Sequence, residues 1–290
     1  MVSGAARQNG SALRKVACYE RGGDGGGCGP GVARGARMTW QAVWSGKQPK
    51  HGDYVLVEGL PGIGNVGKLT IDFLIDTLKA KKIVDFRSHN LPHSVFVNEK
   101  GLVELPRIEL HIVERKKGPH ILLLSGDVQP VDEASCYDFC ERVVGLSAEL
   151  GVKRIITTGG IGLKSVPKKP KVYVAGTNRE AVKPFKKLKV STDLYGTVGP
   201  IIGVSGVLAG VAGREGIPAA ALLVEVYGHP MYLGVRGAKE LLRIINADLN
   251  LKLNMKAIEK EIQVLEDELT EKTKDMSPLP DKESDVNYIG

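Results

Sequence analysis

Residues Glu58-Gly-Leu-Pro-Gly-Ile-Gly-Asn-Val-Gly-Lys68 place four glycines within eleven positions, directly behind the apolar run Tyr54-Val-Leu-Val57. A strand that runs into such a loop has few continuations. Glycine admits positive φ and lets a following helix start close against the sheet, so the stretch predicts a strand-loop-helix turn. Gly62, Gly64 and Gly67 spell G-x-G-x-x-G, and Gly62, Gly67 and Lys68 spell most of G-x-x-x-x-G-K. Neither pattern is complete.

A magnesium-binding phosphate loop needs Ser or Thr after its lysine, and here Leu69 stands there, with Thr70 turned about 100° further round the helix. A dinucleotide site needs an acid about twenty residues past the glycines to hold a ribose, which Asp85 nominally supplies. Against that, Glu58 and Pro61 crowd the loop's entry, and no nicotinamide or substrate constellation follows. The leading expectation is a structural loop without a cofactor. The alternative is a nucleotide- or dinucleotide-binding, ligase-like enzyme that would use Gly62, Gly64, Asn65, Gly67 and Lys68.

Downstream of the loop, residues 65–79 have helical periodicity and 82–86 read as a strand, a β-loop-α-β unit of parallel-crossover length. Residues 94–97 and 102–105 flank a turn at Asn98-Glu-Lys-Gly101, and 107–114 alternate charged with aliphatic side chains, which predicts a hairpin excursion. His120-Ile-Leu-Leu-Leu124 reads as a buried parallel strand, 131–150 as a helix, and 153–157 as the next strand, leading into Thr158-Gly-Gly-Ile-Gly162. Strands at 171–175 and 220–226 and helices at 178–186 and 235–246 complete the rhythm. In the helix predicted over 200–214, Gly203, Gly206, Gly210 and Gly213 leave one nearly bare face for close packing. Such alternation predicts an α/β fold, a three-layer α/β/α sandwich with a mainly parallel sheet.

The formal charge of +7 invites a nucleic-acid reading until it is located along the chain. Residues 1–37 carry a local +4, which leaves an ordinary +3 for the rest. That extension, with Gly22-Gly-Asp-Gly-Gly-Gly27, cannot bury enough surface to offset its ordering entropy and is expected to be disordered; Met38, just behind it, is a candidate for the natural start. It lacks the apolar core of a signal peptide, and the chain has no apolar run long enough to cross a bilayer, so a cytoplasmic protein is expected. The lysine-rich segments 164–171 and 183–189 lack the interleaved aromatics that stack bases, which argues against nucleic acid and leaves a rim able to steer a protein partner.

Chemistry-bearing clusters are sparse. Cys136 and Cys140 share a helix face without the further ligands that a metal would need, so they read as buried thiols in a reducing compartment. Glu58, Asp127 and Glu225 fall at strand ends with His229 close to the last, where caps and turns explain them more simply than catalysis. No nucleophile elbow or zinc motif is present.

Beyond residue 250 the character changes. Leu251, Met255, Ile258, Ile262, Leu265 and Leu269 form a heptad seam over 251–275 that would pair with another helix or lie on its own domain. Residues 276–290, with Ser277-Pro-Leu-Pro280, read as a flexible tail.

The stretches Gly59-Leu-Pro-Gly-Ile-Gly-Asn-Val-Gly67, Thr157-Thr-Gly-Gly160 and Gly203-Val-Ser-Gly-Val-Leu-Ala-Gly210, taken in order, resemble the proteasome assembly chaperone family in its archaeal form, over roughly residues 53–250. The resemblance implies a nucleoside-phosphorylase-like fold without an active site, a homo-oligomer, and binding to proteasome α-subunits of the 20S core particle. In some members a C-terminal tail ending in hydrophobic-Tyr-any residue inserts between α-subunits. The corresponding residues here are Tyr288, Ile289 and Gly290, with the tyrosine one place further from the carboxylate than that pattern has it.

Overall fold

The computed structural model describes residues 39–194, 199–260, 262 and 264. In chain order the elements are β1 (Gln41–Trp44), β2 (Tyr54–Glu58), a single 3-10 turn (Ile63–Asn65) running into α1 (Val66–Leu78), β3 (Lys81–Arg87), β4 (Phe96–Val97), β5 (Val103–Glu104), β6 (Ile108–Val113), β7 (His120–Gly126), α2 (Glu133–Leu150), β8 (Val152–Leu163), β9 (Val172–Gly176), α3 (Arg179–Lys187), α4 (Val204–Arg214), β10 (Ala219–Tyr227) and α5 (Val235–Leu249). Local chemistry sets several ends. The Asp132 carboxylate accepts the Ser135 N–H at 2.8 Å and starts α2, and Gly151, at φ +85°, stops it.

Eight strands form one sheet in the order β1-β3-β6-β7-β2-β8-β10-β9, and β4 pairs only with β5 among the described residues. The expected mainly parallel, nucleoside-phosphorylase-like sheet is not what forms. Four of the seven pairings, β1–β3, β3–β6, β6–β7 and β10–β9, are antiparallel, and only the central β7–β2–β8–β10 block is parallel. The fold is a mixed α/β one with a largely antiparallel sheet.

The reason lies between β3 and β7. After α1 the chain does not lay β3 beside β2; it carries β3 three places away and returns through β6, which fits antiparallel between β3 and β7. The β-loop-α-β unit is therefore not a crossover between neighbouring strands. Strands buried on both faces, such as β2 and β10, carry continuous apolar runs, whereas β6 alternates buried with half-buried residues as an antiparallel strand near an edge does.

Helices cover both faces. Leu56 of β2 joins the core under α2 and α4, with Phe139 and Leu208, while Val55 and Val57 join the opposite core with Ile71 of α1, Phe185 of α3 and Leu241 of α5. Period-two alternation in one strand thus feeds two cores. Trp40, ahead of the unanticipated edge strand β1, closes the first core. Its ring lies 4.7 Å from that of Phe139 and its indole N–H donates to the Ser135 carbonyl at 3.1 Å.

The glycine-rich α4 does not present one uniformly packed face. A Cβ on Gly206 would strike the Ile201 carbonyl and one on Gly213 would lie 2.6 Å from Thr177 Cγ2, but Gly210 faces open space. Of the heptad seam, Ile258 and Ile262 are buried in the core beneath α5, with Leu251 and Met255 packed beside them. Those four positions lie on the chain's own body. Leu265 and Leu269, the extension 1–37 and the tail 276–290 lie outside the described residues.

Candidate functional site

Two antiparallel steps separate β3 from β7, so β3 runs in the same direction as β7, β2, β8 and β10. The C-terminal ends of these five strands therefore share one edge of the sheet. That edge carries the glycine loop after β2, the β4–β5 excursion after β3, and Asp127 just past β7.

The glycine loop folds back onto the sheet. Gly64, at φ +63°, lies so close to Val226 of β10 that a side chain there has no room, and its carbonyl accepts the Gly234 N–H at 2.7 Å. The Ile63 carbonyl rests over β8, 2.5 Å from where a Cβ on Gly160 would stand. At the start of α1, a Cβ on Gly67 would lie 2.9 Å from the Thr158 carbonyl. Gly62 is extended and accepts the Asn65 N–H at 2.9 Å; Asn65 itself takes φ +51°, a left-handed conformation that asparagine tolerates better than most residues. The inner side of the loop is thus filled by the protein's own Val226, Thr158 and Gly234.

Beneath it lies Glu58, completely buried. Its Oε1 accepts the Leu60 N–H at 3.0 Å, while Oε2 has no partner. Burial pushes the carboxyl up to about 8, partly opposed by the Leu60 hydrogen bond, so at neutral pH it is chiefly the uncharged acid. Around it the Thr158 hydroxyl donates to the Glu58 carbonyl at 2.8 Å, the Ser205 hydroxyl to the Thr158 carbonyl at 2.9 Å, and the Thr157 hydroxyl to the Ser205 carbonyl at 2.8 Å, which joins β2, β8 and α4. Gln129 adds a clamp, donating its amide to the Pro61 carbonyl and accepting the Val204 N–H at 3.0 Å. Nothing local in the sequence points to Gln129, since its two partners lie 68 and 75 residues away.

Lys68 does not turn toward the loop. Its Nζ lies 3.0 Å from Asp72, a partner foreshadowed by the i,i+4 spacing, and 3.8 Å from Asp127. With Ser125, whose hydroxyl donates to Asp72 at 2.7 Å, and with Arg107, Glu109 and His111, these groups line a cavity of about 200 Å³. The His111 pKa is lowered, mainly by burial and despite the neighbouring Glu109. Opposite charges are already matched here, an arrangement that holds α1 to the end of β7.

The other candidate residues disperse. Asp85 sits on β3, separated from β2 by two intervening strands, with Lys82 at 3.0 Å and Ser45 at 3.2 Å, so it is not at the position beside the loop that a ribose would require. Glu225 accepts from the Lys171 N–H and the Tyr173 hydroxyl, both at 3.0 Å, and His229 stacks on Tyr227 with ring centroids 5.6 Å apart. Cys136 and Cys140 are buried free thiols on α2. No cluster of three or more His, Cys, Asp or Glu that could hold a metal occurs among the described residues, nor is any described helix long and apolar enough to cross a membrane. Tyr288, Ile289 and Gly290 lie outside the described residues.

A mixed sheet with helices on both faces, closed at its strand ends by a glycine loop packed on the chain's own side chains, defines a scaffold-type α/β body. Residues 56–273 match the PAC2 family, and the chain belongs to that family. It is 31% identical over 244 residues to the uncharacterized protein MJ1210 of Methanocaldococcus jannaschii, across 81% of this chain and 92% of that one. Among solved structures, Pyrococcus furiosus PbaB, an archaeal proteasome activator, is similar at 27% identity and a TM-score of 0.73, over 82% of this chain and 100% of that one. Pyrococcus furiosus PbaA, an archaeal homolog of proteasome-assembly chaperone, shares the fold at 22% identity and a TM-score of 0.67, over 81% and 92%.

Proposed function

We propose that this protein is a non-enzymatic chaperone or adaptor of the 20S proteasome, working in the cytoplasm on proteasome α-subunits. The α/β body, with Leu251, Met255, Ile258 and Ile262 of the heptad seam packed on it, serves as a homo-oligomeric platform, and Tyr288, Ile289 and Gly290, at the end of the 276–290 tail, serve as the docking tip. The observation that carries this reading is the similarity to PbaB along that activator's whole length. A second supports it: the inner side of the glycine loop, where a nucleotide phosphate would need open backbone N–H groups, is occupied by Val226, Thr158 and Gly234. On this reading Gly62, Gly64, Asn65, Gly67 and Lys68 are architectural.

The test is retention of the purified full chain on immobilised α-subunit rings, with and without residues 288–290. Retention that is lost on truncation supports the whole reading. Retention that survives truncation removes the tail from it, and failure of the full chain to bind, or turnover of ATP or NAD, overturns it.

A further inference from the structure

Charge is not spread evenly along this chain. Residues 164–189 carry eight lysines and Arg179 against the single acid Glu180, a local +8, while the rest of 38–264 balances to zero. Residues 265–290, which lie outside the described residues, carry eight acids and three lysines, a local −5. The ordinary +3 behind the extension is therefore the difference between two strongly charged stretches of opposite sign.

The fold gathers the positive stretch at one corner. In sequence β9 and α3 separate the two lysine-rich segments, yet Ser191, just past Lys189, donates its N–H to the Val172 carbonyl at 3.2 Å and accepts the Val174 N–H at 2.8 Å. Lys189 and the last turn of α3, with Lys186 and Lys187, are thereby brought beside the start of β9, where Lys171 stands, and β9 is the outer strand of the sheet. All nine cations are exposed, and among the described residues only Lys183 has an ion-pair partner, Glu180 at 3.5 Å. Elsewhere in the body Lys68, Lys82, Arg107, Arg154 and Arg214 each sit within 3.0 Å of a carboxylate. Like charges crowded together repel one another, and an anionic occupant relieves that repulsion. Nucleic acid is a poor fit, because Tyr173 and Phe185, the aromatic residues of this stretch, are buried and leave bases nothing to stack on.

We propose that the occupant is the chain's own segment 265–290, which rests on this lysine face and holds Tyr288, Ile289 and Gly290 back from α-subunits. Its charge is opposite in sign and comparable in size. Its 26 residues reach about 85 Å when extended, well beyond the breadth of about 45 Å expected of a body this size. Ile258 and Ile262 are buried in the core that Phe185 of α3 also enters, so the chain leaves the body on the sheet face that carries α3. A tethered segment meets the face at an effective concentration on the order of millimolar, which a separate acidic protein does not match. The contact is a restraint that a partner can displace: exposed ion pairs are weak one by one, and salt at physiological strength screens them beyond about 8 Å. Only the consequence, a tip held back, rests on the proposed function; the contact itself does not.

The first arm of the test contains no proteasome. Carbodiimide, which joins a carboxylate to an amine only where the two touch, is applied to the purified full chain at low salt. Amide links between lysines of 164–189 and acids of 265–290 are expected in the monomer band of a denaturing gel, and should fall severalfold in about 1 M NaCl, where the Debye length is about 3 Å. Absence of these links, or their confinement to the dimer band, overturns the proposal whether or not the protein binds α-rings. In the second arm Lys168, Lys169, Lys171, Lys186, Lys187 and Lys189, all exposed, are changed to Gln. The variant, with native circular dichroism, is expected to bind α-rings about tenfold more tightly than wild type at low salt and equally at high salt. Unchanged binding at low salt overturns the restraint. Weaker binding overturns it as well, because the face would then belong to an acidic surface of the partner. Should neither protein bind α-rings, the proposed function fails and the crosslinks alone decide whether the tail rests on the lysine face.

Discussion

Leu60 donates its backbone N–H to Glu58 Oε1 at 3.0 Å, while the other oxygen of the same fully buried carboxyl is left without a partner. The folded protein therefore prefers Glu58 protonated, with a pKa of about 8 against an ordinary 4.5. A raised acid pKa means that the folded state holds a proton the unfolded chain releases. The stabilising effect of that proton is fully present below about pH 4.5 and is lost progressively as pH rises through about 8. Glu58→Gln keeps the acceptor for Leu60 and removes the titration. Its stability relative to wild type should rise by about 3 kcal/mol between acid and pH 7, most steeply between pH 5 and 8; urea midpoints across that range measure it. Equal pH dependence in the two proteins would refute the assignment.

The glycine loop yields a contrast between two substitutions. Gly64→Val adds a branched side chain at φ +63° against Val226, and about 3 kcal/mol or more of stability should be lost, seen as a large fall in Tm or insoluble protein. Gly210→Ala, inside α4 with nothing within 4 Å of the new methyl, should gain about 0.5–1 kcal/mol. Parallel thermal melts decide both.

Arg154 of β8 grips Asp248 of α5 through two contacts, at 3.2 and 2.5 Å, and the aspartate side chain is 4% exposed. Asp248→Ala strands a partly buried guanidinium and should cost about 2–3 kcal/mol. The double replacement Arg154→Met, Asp248→Leu leaves no unpaired charge and should recover most of that loss. A double-mutant cycle on unfolding free energies provides the check.

Ile258 is buried in the body's own core, so Ile258→Ala should cost about 2–4 kcal/mol in unfolding free energy and leave oligomeric mass unchanged. A variant that dissociated at unchanged Tm would show that this part of the seam is an intermolecular coiled coil.

Much of the chain was legible residue by residue. The runs at β2, β7 and β10, the turn at Asn98–Gly101 and the helices α1, α2, α3 and α5 follow from periodicity, caps and glycine stereochemistry, which act over a few residues. The motif set around Gly59–Gly67 likewise pointed to the family without any coordinates. Strand neighbours do not follow, because pairing order depends on contacts tens of residues apart: an apolar run looks the same whichever strand lies beside it, so nothing local places β6 between β3 and β7, and the alternation by itself reads as a mainly parallel sheet. Edge strand β1 is too short to show a period, and the core that Trp40 closes exists only after α2 has folded over it. Glu58 reads in sequence as one more strand-end carboxylate. Only the assembled layers seal it from water, and desolvation, a property of everything around a group and not of its neighbours in the chain, gives it its proton.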